Sequence, residues 1–320
     1  MAPMVNHRER YDSMRSVCSV VCSFHAYVYG VVVTLNFTRI ISEKAKKSQT
    51  TPRDSFRFHC EGITSIYNQL EMATVPLMFA EEDIEGGGKE ETSNGIENDF
   101  AYNNNVQNAN IKIRMAFLRK VYGLLSVQLL MTIVVAAICM LSKPVRLFIH
   151  QNEWMVGLSF FMTLGFMMAL IFKRREHPMN LILLGAFTLV QSYTVGVIVT
   201  MYDQAIVLEA LLITLTVVAG LTAYTFQTKK DFSFLGFGLF AGLCALLVGG
   251  ILQIFVQSTG FELLLSIGGA LLFSMFIIFD TQLLMRTLSP EEYILATINL
   301  YMDIINLFVH ILRALAASRQ

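Results

Sequence analysis

The chain has 320 residues, of which 54% are hydrophobic and only 15% are charged. A soluble domain usually carries about 25% charged residues, so this composition is typical of a membrane protein. The 24 Lys and Arg balance the 24 Asp and Glu. A chain without net charge has no overall field that attracts DNA or RNA, and nucleic acid is therefore excluded as a partner.

The first 110 residues differ in composition from the rest. We expect residues 1–80 to form a poorly structured extension, with Met72 or Met78 as an alternative start. The uncharged residues 16–37 could form an additional hydrophobic segment or a signal anchor. Residues 81–110 begin with EEDIEGGGKEETSNGIEND, which has eight acidic residues and one lysine. This stretch predicts an acidic, disordered cytoplasmic linker.

Residues 111–320 alternate long apolar blocks with short polar turns, and they predict a membrane domain. A bilayer core about 30 Å thick needs about 20 apolar residues in a helix. Seven blocks have this length: Phe117 to Leu141, Trp154 to Phe172, Met179 to Thr200, Ala205 to Phe226, Phe232 to Val256, Phe261 to Met285, and Tyr293 to Leu315. Because a membrane-spanning backbone must satisfy its own hydrogen bonds, we predict an all-α, polytopic membrane protein with a seven-transmembrane-helix bundle. The last block contains charged residues and either spans the membrane or re-enters.

Lys and Arg in the short loops predict the orientation of the bundle. Cytoplasmic loops collect positive residues. Ten lie on the side of the amino terminus, whereas the opposite loops hold only Lys143 and Arg146. The ten are Lys112, Arg114, Arg119, Lys120, Lys173, Arg174, Arg175, Lys229, Lys230 and Arg286. The amino-terminal side is therefore predicted to be cytoplasmic.

Three carboxylates lie in the interior of apolar blocks, at least four residues from either end, where a charge costs roughly 2.5 to 3.5 kcal/mol and needs a partner or a function. They are Asp280 in the sixth block, Asp303 in the seventh and Glu209 in the fourth. The sixth and seventh blocks are neighbours along the chain, so Asp280 and Asp303 could face each other. Two carboxylates in contact cannot both ionise at low cost, so such a pair shares a proton and acts as a proton sensor. It could also bind calcium transiently through its oxygens.

A purely structural interpretation of the three carboxylates stays open. Asp280 could be satisfied by Arg286 or by cytoplasmic water, and Asp303 by Asn299 or Asn306, one helical turn away. Glu209 could simply reach water from the end of its helix.

Several segments also resemble a known family. They are IKIRMAFLRKVYGLLSVQLL, RREHPMNLILLGAFT, LTAYTFQTKKDFSFLG, FDTQLL and SPEEYILATINLYMDIINLF. They are similar to the signature blocks of the Bax inhibitor motif family, in its lifeguard branch. The resemblance runs from about residue 99 to residue 313, and nothing before about residue 81 shares it.

The resemblance implies a pH-sensitive calcium leak channel of Golgi and endoplasmic reticulum membranes that lowers store calcium and suppresses apoptosis. Asp280 and Asp303 match the family's gating aspartates, and Arg174 or Arg175 matches their basic partner. Glu262 and Glu291 match carboxylates at the pore mouths, and we add Glu209 as a third candidate. The expected partners are the lipid bilayer, calcium as the permeant ion, and either other cell-death regulators or further copies of the chain. No cofactor is expected.

Three other classes of protein are compared with the calcium leak channel. An intramembrane aspartyl protease also has two aspartates on neighbouring helices, but its Gly-x-Gly-Asp and Pro-Ala-Leu elements are missing here. A zinc hydrolase needs several histidines at one membrane face, and only His310 lies in a predicted helix. The five cysteines form no CxxC pair. We therefore expect no enzyme, while a non-conducting anti-apoptotic interaction protein remains an alternative.

Overall fold

The computed structural model describes residues 111–319 except 153, 175, 229, 233, 257, 287 and 289–291. The amino-terminal extension, the segment 16–37, the acidic linker, Arg175 and Glu291 lie outside the described residues. All regular structure within the described residues is helical. The helices are α1 (Ile111–Leu141), α2 (Lys143–Gln151), α3 (Trp154–Lys173), α4 (Met179–Val199), α5 (Gln204–Gln227), α6 (Leu235–Val256), α7 (Thr259–Arg286) and α8 (Tyr293–Ser318).

Seven of these helices, all except α2, are long and apolar enough to cross a membrane. They coincide with the seven predicted blocks, so the prediction of an all-helical polytopic membrane protein is confirmed. The ends of the helices differ from the predicted blocks by a few residues. The largest difference is at α1, which begins at Ile111 instead of Phe117. Apolar content alone does not find this first turn, because it contains Lys112 and Arg114.

The short helix α2 differs from the sequence prediction, which expects a polar turn between the first two blocks. Pro144 stands in its first turn, a position that suits proline because the first amide groups of a helix have no intrahelical acceptor. Ile149 is buried against Cys139 of α1 and Val197 of α4. One apolar contact of this kind therefore holds α2 against the end of the bundle.

Side-chain contacts show the direction in which neighbouring helices run. Gln128 and Thr132 of α1 contact Thr188 and Ser192 of α4, so α1 and α4 are parallel. Two consecutive spans pack antiparallel, as the contact of Ser159 in α3 with Thr194 in α4 shows. This alternation is what short connections between successive spans require.

Helix α8 is the central helix of the bundle and packs against α1, α4, α5 and α7. Every residue from Tyr293 to His310 is buried. The first turn lies beside Lys120, at what we call the basic end of the bundle, which also holds Lys173 and Arg174. Arg319, the residue directly after the helix, pairs with Glu209 at what we call the opposite end. The seventh segment is therefore a continuous helix that runs the full length of the bundle, and it does not re-enter.

Candidate functional site

The predicted aspartate pair comes together at the interface of α7 and α8. Asp280 is 8% exposed and Asp303 is fully buried. The side chain of Asp280 is close enough to the side chains of Asp303 and Asn299 to interact with both. A hydrogen bond between two carboxyl groups requires a proton on one of them. The geometry thus allows the two aspartates to share one proton.

Helical periodicity explains why one face of α8 meets Asp280. Asn299 and Asp303 are four residues apart, so they lie on the same face of α8 and can both reach α7. The two helices run antiparallel, and further contacts follow the same register. The His310 ring of α8 stacks on Phe273 of α7 with ring centroids 5.5 Å apart.

Two glutamates predicted at the pore mouths lie at the opposite end of the bundle, each beside an arginine. Glu262, in the first turn of α7, lies 3.5 Å from the guanidinium group of Arg313, and both side chains are largely buried. Glu209 of α5 pairs with Arg319, and both of these side chains are half-exposed. The two ion pairs connect α8 to α7 and α5. Their difference in exposure predicts very different contributions to stability.

Arg174, one of the two predicted basic partners, lies at the basic end of the bundle. Its guanidinium group is 4.0 Å from the Glu292 carboxylate, immediately before α8. Its contact with the aspartate pair stays a prediction. Arg286, the alternative partner considered for Asp280, lies 3.7 Å from Asp231 in the loop before α6.

Tyr293 organises the basic end around the first turn of α8. Its hydroxyl group contacts His177 Nε2 at 2.7 Å and accepts a hydrogen bond from Asn180 at 3.0 Å. Lys120 Nζ lies 3.4 Å from the centre of the Tyr293 ring, which is a cation–π contact. These contacts join α1, α4 and the loop between α3 and α4 to the central helix.

Hydroxyl groups connect α1, α4 and α8 within the apolar interior. Thr132 Oγ1 lies 2.9 Å from the Tyr301 hydroxyl group and 3.1 Å from Ser192 Oγ. It also donates to the Gln128 carbonyl oxygen at 2.9 Å. Buried polar groups require such partners because no water is available in a bilayer core.

The aspartate pair alone has fewer oxygen ligands than a resident calcium ion takes. Among the residues that the structure describes, no group of three or more His, Cys, Asp or Glu is placed to hold a metal ion. Resident calcium takes six to eight oxygen ligands. Transient contact of Asp280 and Asp303 with calcium stays a prediction.

Sequence reasoning missed the partner of Glu262. Arg313 is a charged residue of the last apolar block, to which the sequence analysis assigns no partner. A buried arginine in a membrane span needs an anion at the same depth. Glu262 lies at the start of the antiparallel neighbouring helix, so depth counted along the two helices could have found the pair. The cluster around Tyr293 had no comparable signal, because its members come from four separate segments.

Comparisons with known proteins agree with this architecture. Residues 114–320 match the family model described as "Inhibitor of apoptosis-promoting Bax1". Protein lifeguard 4 of Mus musculus is 50% identical over 222 residues, which cover 69% of this chain and 93% of the mouse protein. The Golgi anti-apoptotic protein of Vaccinia virus (strain Lister) is 48% identical, over 70% of this chain and 95% of the viral protein. Bax inhibitor 1 of Schizosaccharomyces pombe is 41% identical, over 63% and 77% of the two chains. The chain therefore belongs to the Bax inhibitor family of multi-pass, anti-apoptotic membrane proteins.

Proposed function

We propose that this protein is a pH-sensitive calcium leak pathway whose gate is the pair formed by Asp280 and Asp303. Its physiological consequence is a lower calcium content of the store and a higher threshold for apoptosis. The observation that carries the proposal is the meeting of two buried carboxyl groups on neighbouring spans. Ionisable groups inside a bundle are costly, and they commonly belong to ion or proton pathways.

A shared proton couples this pair to pH. With one proton between them, the two carboxyl groups hold α7 and α8 together through a hydrogen bond. When that proton is lost, two negative charges repel each other in a region of low dielectric constant, where the repulsion is strong. The two helices then separate, and the carboxylates attract a cation. Proton occupancy thus selects between a closed and a conducting arrangement.

The carboxylates at the opposite end fit an entrance for cations. Glu262 and Glu209 both lie there, and each is held by an arginine of α8 or of the residues after it. Movement of α8 would change both ion pairs together. We propose that Arg174 acts at the basic end, where its ion pair with Glu292 precedes the helix that carries Asp303. Glu291 and Arg175 remain candidates from the sequence.

Calcium flux into liposomes that contain only the purified protein tests the proposal. Flux is measured across a pH series for the parent and for Asp280→Asn and Asp303→Asn. Asn keeps the size of Asp but cannot titrate, so both variants should lose most of the pH dependence. Asp203→Asn is the matched control, because Asp203 is exposed in the loop before α5. The control should keep the parental pH dependence.

Two results would overturn the proposal. The first is a parent protein that inserts correctly and passes no calcium at any pH, which would favour a non-conducting interaction protein. The second is a full parental pH response in both variants at the pair, which would remove the shared proton from the mechanism. Arg174→Gln extends the series: loss of its charge should raise the residual flux at low pH, where the protonated pair closes the pathway, and should shift the pH midpoint of the remaining response upward.

We further propose Golgi membranes as the location, with the basic end facing the cytoplasm. The viral relative is named a Golgi anti-apoptotic protein. The concentration of Lys and Arg at one end supports the orientation. Protease protection of tags placed in the loops after α3 and after α4, in intact and permeabilised Golgi vesicles, tests it. The first tag should be digested in intact vesicles, and the second should be digested only after permeabilisation.

A further inference from the structure

A groove with a volume of about 300 Å³ opens on the side of the bundle between α1, α5 and α8. Its outer rim includes exposed Ile133 and Leu141 of α1 and exposed Leu208 and Leu215 of α5. Its floor is formed by the central helix α8. Because the rim side chains face the surrounding lipid, the groove is open to the hydrocarbon core of the membrane.

The groove is as long as one leaflet is deep. Along α1 it runs from Leu129 to Leu141, which is thirteen residues and about 18 Å at the helical rise. Along α5 it runs from Gln204 to Leu215, or about 16 Å. Half of a bilayer core is about 15 Å thick. Since α5 begins at the opposite end of the bundle, the groove extends from that membrane surface to about the midplane.

The lining suits a hydrocarbon chain. Two threonines, Thr132 and Thr214, line the groove among apolar side chains, and their hydroxyl groups are already bonded within the protein. Thr132 contacts Tyr301, and Thr214 donates to the Ala210 carbonyl oxygen at 2.7 Å. An apolar chain in the groove therefore leaves neither hydroxyl group without a partner. Lining groups that depended on water for a hydrogen bond would make the groove unfavourable for an apolar chain.

Two cations stand at the membrane-surface end of the groove. Lys143 begins α2 two residues after Leu141, the last groove residue of α1. Arg146 donates from Nη2 to the carbonyl oxygen of Thr200 at 3.0 Å, next to the groove residue Val199. Both side chains are exposed, and neither has an ion-pair partner within the described part of the chain. These are the only two cations that the sequence places in the loops on this side of the membrane.

We propose that this groove binds one acyl chain of an anionic phospholipid from the leaflet at the opposite end, with Lys143 and Arg146 binding the headgroup phosphate. The groove has about the length of an acyl chain in one leaflet. The two cations provide charge complementarity at the depth of the lipid headgroup. The bound chain lies against Ile304 and Ile305, directly after Asp303 in α8. The site does not depend on whether the protein conducts calcium.

Native mass spectrometry of the full chain, released from detergent micelles with added lipid, measures the binding. Phosphatidylglycerol and phosphatidylcholine with identical acyl chains are titrated separately. The parent should retain one phosphatidylglycerol and bind it more tightly than phosphatidylcholine, by about fivefold for each cation. Equal binding of the two lipids by the parent would overturn the proposal.

Paired variants separate the groove from the rest of the surface. Ala137 lines the groove, so Ala137→Phe should fill it and abolish retention. Ala219 is exposed on α5 and does not line the groove, so Ala219→Phe should retain the lipid. Retention of phosphatidylglycerol by Ala137→Phe with parental affinity would contradict an acyl chain in the groove.

A second pair tests the headgroup and does not disturb packing. Lys143→Gln should lower the preference for phosphatidylglycerol about fivefold. Lys173→Gln, which removes an exposed cation at the basic end, should leave the preference unchanged. A parental preference in Lys143→Gln would overturn the assignment of the headgroup.

Glycerol 3-phosphate is added to the parent as a probe for free phosphate, and displacement of the lipid by it would mean that the site recognises phosphate without an acyl chain.

Discussion

Helices α8 and α5 are both apolar enough to span a membrane, yet they occupy contrasting places in the bundle. The most apolar stretch of α8 has a lower mean hydropathy than that of α5, 1.6 against 2.2, yet it is 100% buried and that of α5 only 11%. The less apolar helix is the more buried one, which is the reverse of what a soluble protein shows. Lipid tails are as apolar as leucine, so an exposed leucine costs nothing in a bilayer. Polar side chains need partners, and those partners are inside.

The contrast also explains how each helix is held in place. Helix α8 is held by contacts that require particular partners, such as those of Arg313, Tyr301 and Asp303. Most of the α5 surface faces lipid, and lipid adapts to its shape. Substitutions in α8 should therefore change stability strongly, and matched substitutions on the exposed face of α5 should not.

The largest effect is expected from the buried ion pair between α7 and α8. Arg313→Gln leaves the Glu262 carboxylate buried without its cation, which should lower the free energy of unfolding by about 3 kcal/mol. Arg319→Gln is the matched control, because its partner Glu209 is half-exposed and the loss should stay within about 0.5 kcal/mol. Denaturation in detergent micelles compares the two. Equal losses would show that burial does not distinguish these pairs.

The same substitution in both helices gives the most direct test of the comparison. Leu312 of α8 is fully buried, and Leu212 of α5 is 59% exposed. Leu312→Ala should lower the free energy of unfolding by about 2 kcal/mol, because it leaves a cavity that lipid cannot fill. Leu212→Ala should change it by less than about 0.5 kcal/mol, since lipid replaces the lost side chain. Thermal unfolding in lipid nanodiscs measures both, and comparable losses would contradict the inverted arrangement.

Two adjacent glycines of α7 test how closely α8 is packed. A Cβ atom at Gly269 would overlap the His310 ring, whereas a Cβ atom at Gly268 would meet nothing within 4 Å. The His310 ring is buried and stacked on Phe273, so it cannot move aside freely. Gly269→Ala should therefore cost about 1 to 2 kcal/mol. Gly268→Ala should be neutral or slightly stabilising, because alanine favours helices. A stable Gly269→Ala protein in the same unfolding assay would mean that the helices separate easily.

The smallest effect concerns the hydroxyl contact between α1 and α8. Tyr301→Phe keeps the ring that packs edge-on against Phe187 but removes the hydroxyl group that contacts Thr132. Thr132 still donates to the Gln128 carbonyl oxygen. The loss in free energy of unfolding should therefore be about 1 kcal/mol. Thr216→Val on α5 is the control, since this exposed hydroxyl group bonds only within its own helix and its loss should have no measurable effect. A loss larger than that of Leu312→Ala would mean that the hydroxyl contacts contribute more to stability than packing does.

Much of the candidate site could be predicted from particular residues. Asp280 and Asp303 stood out because a carboxylate inside a membrane span is costly, and the short connection between their helices predicted that they would be neighbours. Arg313 is likewise a costly charge inside a membrane span, and its position along α8 places it at the depth of Glu262 at the start of α7. No feature of the sequence predicted the contact of Arg174 with Glu292. The loops at the basic end determine this contact, and the path of a loop does not follow from helical periodicity.

The sequence by itself determined that residues 111–319 contain seven spans, where each of these begins and ends to within a few residues, and which family the chain belongs to. Those features depend on local quantities: the length of each apolar block, the charge of each loop and the residues of each motif. Only the tertiary structure decided that α8 is the central helix, that Glu262 pairs with Arg313, and that α1, α5 and α8 leave a groove between them. These features depend on which helix faces meet. Hydropathy along one helix cannot determine that, because a bilayer accepts apolar side chains equally well on the surface and in the interior.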